Sequence, residues 1–253
     1  MGRIIALANQ KGGVGKTTSA VNLAASLGVL GNKVLLVDLD PQGSATSSLG
    51  IAKKSLRYTV ADLLIGGCVT RDAVLPTNFK GLELLPANIG LAATEYDLLE
   101  GEGAEGHLRK ALLPLKPDYD FIILDCPPSL GMLTVNAMVA ADGVVIPMQC
   151  EFFALEGLTQ LMMTIQRMKK RYRPNLMVVG ILVTMYNGRL TLSTQVMQEL
   201  KKHYPDRVFD TTISRNVRLT EAPGFGMPVY YHDKNAKGSK EYLKAAKELI
   251  DRI

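Results

Sequence analysis

Cysteine is scarce: Cys68, Cys126 and Cys150 are the three in 253 residues, and no two of them have C-x-x-C spacing. That removes both a zinc knuckle and a disulfide framework, and it fits a reducing, cytoplasmic setting. Long apolar runs are missing too. None reaches the roughly 18 residues that a membrane span needs. The opening MGRIIALANQ has an arginine but an apolar run too short for a signal peptide. Position 6 is Ala, which removes the myristoylation pattern. Repeats, low-complexity tracts and linker-like stretches are also lacking, so one domain over 1–253 is expected.

What is present is ordinary globular composition, 47% hydrophobic and 21% charged, with an uneven charge. Residues 1–162 carry 12 Lys/Arg against 16 Asp/Glu, whereas residues 163–253 carry 17 against 8. A basic final third suits either a polyanion or a solvated lysine face.

Apolar runs alternate with helical patterns. Strands are expected at 3–9, 33–40, 82–87, 120–125, 143–148 and 176–185, and helices at 17–30, 104–115, 130–140, 154–171, 191–203 and 239–253. Most strand runs are continuous rather than alternating, as when helices cover both faces of a sheet. The predicted fold is α/β: a doubly wound, mostly parallel sheet with its ligand at the carboxyl ends of the strands.

The stretch NQKGGVGKTT follows the first strand and opens the first helix. Gly12, Gly13, Val14 and Gly15 let the backbone curl around an anion, and Thr17 and Thr18 follow at the helix start. Lys16 is placed to reach β and γ phosphates, and the Thr17 hydroxyl to ligate Mg²⁺. The pattern departs from G-x-x-x-x-G-K-[ST], with Gln10 at the first glycine and an additional Lys11. With backbone already on its own phosphate's side, Lys11 reaches outward, toward the phosphates of a facing subunit.

Two further acidic strand ends complete the set. VLLVDLDPQGSATSSLG delivers Asp38 and Asp40 to a turn, and YDFIILDCPPSLG delivers Asp125, which can hold Mg²⁺ through water. Cys126 beside it reads as packing.

Together these segments resemble the ParA/MinD superfamily with its deviant Walker A loop. ILVTMYNGRLTLSTQV and ISRNVRLTEAPGFGMPV narrow the likeness to short ParA/Soj partition ATPases. The resemblance implies an ATP sandwich homodimer, with Lys11, Lys16 and Asp40 serving hydrolysis and Asp40 positioning the water. Asp38 would support the Mg²⁺ shell or the loop fold. Glu151 would touch the dimer partner or nucleotide, or merely start a helix, and Asn216 would contact the base. The resemblance further implies nonspecific double-stranded DNA binding through Arg189 and Arg218, with Arg215, Lys234, Lys237 and Lys240 as weaker additions, and a ParB-type partner that stimulates hydrolysis at the nucleoid. The loop begins near residue 9, so no operator-reading extension is expected. Ser214 stands where proline is usual and Met227 where lysine is common, two departures from the family pattern that alter the local loop and its basic footprint.

Three rivals remain. A MinD-like ATPase would grip membrane through Tyr242, Leu243, Ala246, Leu249, Ile250 and Ile253, a stripe that also suits docking on its own domain. An iron–sulfur reductase would need flanking patterns that Cys126 and Cys150 lack. A nucleotide-sensing scaffold would bind ATP and scarcely turn it over.

Overall fold

The computed structural model describes residues 2–253; Met1, where the expected domain begins, lies outside the described residues. Seven strands form one sheet: β1 (Arg3–Leu7), β2 (Val34–Asp38), β3 (Leu75–Pro76), β4 (Leu82–Leu85), β5 (Phe121–Asp125), β6 (Gly143–Gln149) and β7 (Met177–Thr184). Their order is β3-β4-β2-β5-β1-β6-β7, parallel throughout except for β3 against β4. Register brings Leu7 and Asp38 level with Asp125, so three strands end together at one rim.

Among the described residues eleven α-helices accompany them: α1 (Lys16–Val29), α2 (Ser44–Ser48), α3 (Val60–Leu64), α4 (Gly90–Glu100), α5 (His107–Leu112), α6 (Met132–Ala140), α7 (Ala154–Arg171), α8 (Thr191–His203), α9 (Val217–Glu221), α10 (Val229–His232) and α11 (Lys237–Asp251). The continuous apolar strands fill two cores. In β1, Ile4 and Ala6 face the layer of α3 to α8, while Ile5 and Leu7 face α1 and α11. That two-sided burial is why these strands do not alternate.

The final helix docks on its own domain. Tyr242, Ala245, Ala246 and Leu249 are buried, and the Tyr242 hydroxyl lies 3.0 Å from Ser19 Oγ on α1. Half of the stripe a membrane anchor would need, Tyr242, Ala246 and Leu249, is therefore spent internally. No helix among the described residues is long and apolar enough to cross a membrane.

The expected helix over 104–115 is corrected to a short α5 flanked by 3₁₀ turns. Pro114 and Pro117 lack the N–H that would continue it. Elements α2, α3, α4, α9, α10 and β3 escape sequence reasoning. Four of those helices span only four or five residues, and α4 is apolar on both sides, so neither kind shows one clean periodic face.

Candidate active site

The loop between β1 and α1 turns through Gly13 (φ 74°) and Gly15 (φ 82°), left-handed conformations that a side chain would strain. Its carbonyls are claimed from behind. Gln149 Nε2 donates to Gly13 O at 2.7 Å, Thr184 Oγ1 to Val14 O at 2.7 Å, and Lys16 Nζ to Lys11 O at 3.0 Å. Tying down the carbonyls leaves the loop's amides and the start of α1 to an anion. The groove in front, about 270 Å³, is lined by Gly12, Gly13, Gly15, Lys16, Thr17, Thr18, Asp40, Pro128 and Met185.

Asp125 stands beside Thr17 and Lys16, fully buried, and neither carboxylate oxygen has a hydrogen-bond partner. The Thr17 hydroxyl faces it without completing a bond. Burial raises the Asp125 carboxyl well above the ordinary carboxylate range, and neighbouring Asp38 adds to that. Burial also lowers the Lys16 ammonium, opposed chiefly by Asp125. An uncompensated buried carboxylate is costly, so a bare Asp125 beside Thr17 is what a divalent cation would relieve. Among the described residues no group of three His, Cys, Asp or Glu forms a metal cage.

Asp38 differs. Its Oδ2 accepts from Thr46 N at 2.8 Å and Thr46 Oγ1 at 2.7 Å, and its Oδ1 from Asp40 N at 3.1 Å. Burial pushes its carboxyl up to about 6 even so. Of the two roles expected for Asp38, these bonds favour shaping the loop that presents Asp40, because both its oxygens are engaged. Asp40 itself lines the groove, and its Oδ1 accepts only from Gln42 N, at 2.9 Å.

Lys11 projects from the exposed side of the loop and pairs with Glu151 of the same chain. Next to Glu151, Phe152 and Phe153 are exposed and meet edge to face. Cys126 and Cys150 are buried thiols, both raised by burial, Cys150 to about 11, and so unreactive.

A second cavity of about 530 Å³ adjoins the first, sharing Gly15, Thr18 and Met185 with it. Arg215, Asn216 and Val217 line it on the far side. Asn216 caps α9, its Oδ1 accepting from Arg218 N at 2.9 Å. Arg215 lines this cavity and is exposed as well. A larger cavity of about 820 Å³, lined by Lys33, Arg71, Glu83 and Tyr119, opens at the amino ends of β2 and β4, away from the rim where open α/β sheets take ligands.

The remaining basic residues divide by pairing. Arg189, Lys234 and Lys240 are exposed and make no ion pair among the described residues. Arg218 is held by Glu221 at 2.8 Å and Asp233 at 3.8 Å, and Lys237 by Glu241 at 3.6 Å.

Four residues of the site were not found from sequence: Thr46, Gln149, Thr184 and Met185. Among the described residues, Met185 alone of the non-glycines has a positive φ, 49°, at the point where the two cavities meet. A strained residue beyond a strand end marks function, but the dihedral is invisible in the sequence. Thr184 and Gln149 act through contacts with a loop more than 130 residues away.

An AAA domain family model matches residues 2–178. The chain is 49% identical to the sporulation initiation inhibitor protein Soj of Bacillus subtilis, over 98% of this chain and 98% of that protein. It is 48% identical to the chromosome partitioning protein ParA of Caulobacter vibrioides, over 99% of this chain and 94% of that one. Among solved structures, the cobyrinic acid a,c-diamide synthase of Mycobacterium smegmatis, with an ATP analogue and magnesium bound, superposes with a TM-score of 0.86. It is 39% identical, over 99% of this chain and 95% of that one.

Proposed function

Because the chain belongs to the ParA/MinD family, among its Soj/ParA chromosome-partitioning ATPases, we propose that it is a Mg²⁺-dependent ATPase whose nucleotide state governs dimerisation and DNA binding. The observation that carries this is Asp125, buried and unpartnered beside Thr17 and Lys16, two residues that line the groove in front of the loop. Thr17 and, through water, Asp125 would hold Mg²⁺, which supplies charge neutralisation between the β and γ phosphates. The amides of Gly12 to Thr18 bind the triphosphate. Lys16 exchanges Lys11 O for phosphate oxygen, and Asp40 orients the attacking water. Asn216 meets the base in the adjoining cavity.

Lys11 completes the site of a second copy. It must first leave Glu151, and because both partners are about half exposed that release costs little, about 0–1 kcal/mol. The clasped pair presents Arg189, Lys234 and Lys240 on a common surface, joined by Arg218 and Lys237 once their carboxylates let go. Such a surface binds double-stranded DNA through phosphates without reading sequence. A ParB-type protein then accelerates hydrolysis, and the protein resides at the nucleoid.

The synthase name of the mycobacterial structure shows that one ATP fold serves different outcomes. Partition is favoured by relatives that match over nearly their whole length. A MinD-like membrane role has no support in these relatives, and half of its candidate stripe, Tyr242, Ala246 and Leu249, is buried in the core shared with α1.

The test is a DNA titration with ATP, with ADP and without nucleotide, at two salt concentrations. Tight binding with ATP alone, weakened by salt, is expected. Equal affinity in all three nucleotide states would sink the proposal.

A further inference from the structure

Two left-handed glycines meet backbone to backbone where the segment after Asp38 touches the segment that lines the second cavity. Gly50 (φ 77°) ends the first segment and Gly226 (φ 66°) turns the second. A Cβ at Gly226 would stand 2.7 Å from Gly50 Cα, and one at Gly50 would stand 3.0 Å from the Gly226 carbonyl oxygen. Neither position has room for a side chain, and both φ values strain any residue that carries one. Behind the contact, Ala45 and Leu49 share a core with Leu219, Ala222 and Val229.

The first segment is bonded from Asp40 to Gly50 without a break. Gly43 N donates to Asp40 O at 2.8 Å, Ser47 N to Gly43 O at 3.0 Å, and Gly50 N to Ser47 O at 3.0 Å. Lys53 Nζ closes over the turn, donating to Gln42 O at 2.6 Å. Displacing Gly50 without moving Asp40 would break one of these bonds, at about 1 kcal/mol each. Short bonded turns of this kind move as one body.

The second segment is fixed at both ends and borders the cavity between them. Ser214 N and Oγ donate to Glu241 Oε2 at 2.9 Å and 3.0 Å, and Val229 N donates to Asn22 Oδ1 at 2.8 Å. Between these anchors Asn216, Thr220 and Pro223 line the cavity. Gly226 is one turn further on, its N donating to Pro223 O at 3.0 Å. A group that fills the cavity therefore meets the stretch of chain that carries Gly226.

We infer that Gly50 and Gly226 are positioning residues for hydrolysis: a base in the second cavity acts through their contact to set where Asp40 stands. The inference rests on the proposed ATPase reading for the role of Asp40 and for the base; the contact itself does not. Its consequence is that the base governs kcat and not binding alone.

The experiment uses the full chain with Mg²⁺ and two substrates at saturation, ATP and ribose 5′-triphosphate, which carries the same triphosphate and no base. Wild type should turn over ATP at least about tenfold faster than the baseless compound. Gly226→Ala should lower kcat for ATP by at least about tenfold while KM moves by less than about threefold. Turnover of the baseless compound should be alike in both proteins, an equality that a general loss of fold would not leave. Gly50→Ala enters the same contact from the other side and should repeat the pattern, which keeps the test open if Gly226→Ala does not fold. Gly224→Ala, where a Cβ meets nothing within 4 Å, should behave as wild type.

A second readout needs no hydrolysis: hydrogen exchange at the amides of residues 43–51, with ADP against pyrophosphate. Of the two, only ADP should slow exchange in wild type, and neither should in Gly226→Ala. Equal kcat for the two substrates in wild type overturns the inference, as does a Gly226→Ala loss that falls equally on both or is matched by Gly224→Ala. Exchange that ADP and pyrophosphate slow alike overturns it too. If wild type hydrolyses neither substrate while the exchange contrast holds, the ATPase reading fails and the positioning contact stands.

Discussion

Lys11 and Lys16 sit five residues apart and do opposite work. Lys16 is buried at the groove, whereas Lys11 is exposed and tethered to Glu151. Lys16→Ala should abolish nucleotide binding, read by calorimetry with ATP. Lys11→Ala should preserve single-copy ATP binding but lose the dimer and about 10³-fold in turnover, the scale of a charge supplied in trans. Glu151→Gln removes the tether, so sedimentation with a nonhydrolysable analogue should show dimerisation tightened by at most about fivefold. A tenfold weakening would instead place Glu151 across the interface. Asp40→Ala should trap an ATP dimer that still retains DNA, since the Asp40 side chain accepts from Gln42 N alone among the described residues.

Between elements, stability comes from polar pairs that sequence patterns do not advertise. Asp142 joins three segments: it accepts from Ile4 N at 2.9 Å, Lys116 Nζ at 2.8 Å and Arg173 Nη2 at 2.8 Å. Burial alone would raise its carboxyl, but those donors outweigh it and hold the group below the ordinary range. A carboxyl more acidic in the folded chain adds stability above its unfolded pKa, about 3.9, and loses it as pH falls toward the folded value. Urea midpoints should therefore drop on acidification below about pH 4, and Asp142→Asn should flatten that drop. Asp142→Ala, which strands two cations that are each 17% exposed, should cost about 3 kcal/mol. Thr46→Val would leave Ala87 N and one Asp38 oxygen short of partners in a buried place, costing about 2 kcal/mol and slowing hydrolysis through the Asp40 loop.

For the whole molecule, the basic third resolves into residues with different freedom to meet DNA. Arg189 is exposed and unpaired, whereas Arg218 already has two carboxylates. Arg189→Ala should spare ATP-driven dimerisation and lower the log–log salt slope of DNA binding by about 2, one phosphate contact per copy in a dimer. Arg218→Ala should cost less affinity, because wild-type Arg218 must first give up Glu221. Filter retention across a salt series measures both, and an unchanged slope for Arg189→Ala would remove it from the footprint.

The residues that act through local chain geometry were legible from the start. A glycine turn after an apolar run, then Lys16 and Thr17 at a helix start, is the sequence pattern of an anion cradle, and Asp125 is carried to the rim by the strand before it. The continuous strands likewise announced a sheet covered on both faces. Tertiary structure alone brought Gln149 and Thr184 behind the loop, gave Met185 its strained backbone and paired Lys11 with Glu151. Such contacts join positions far apart along the chain, and spacing within a segment carries no information about which distant segment will pack against it.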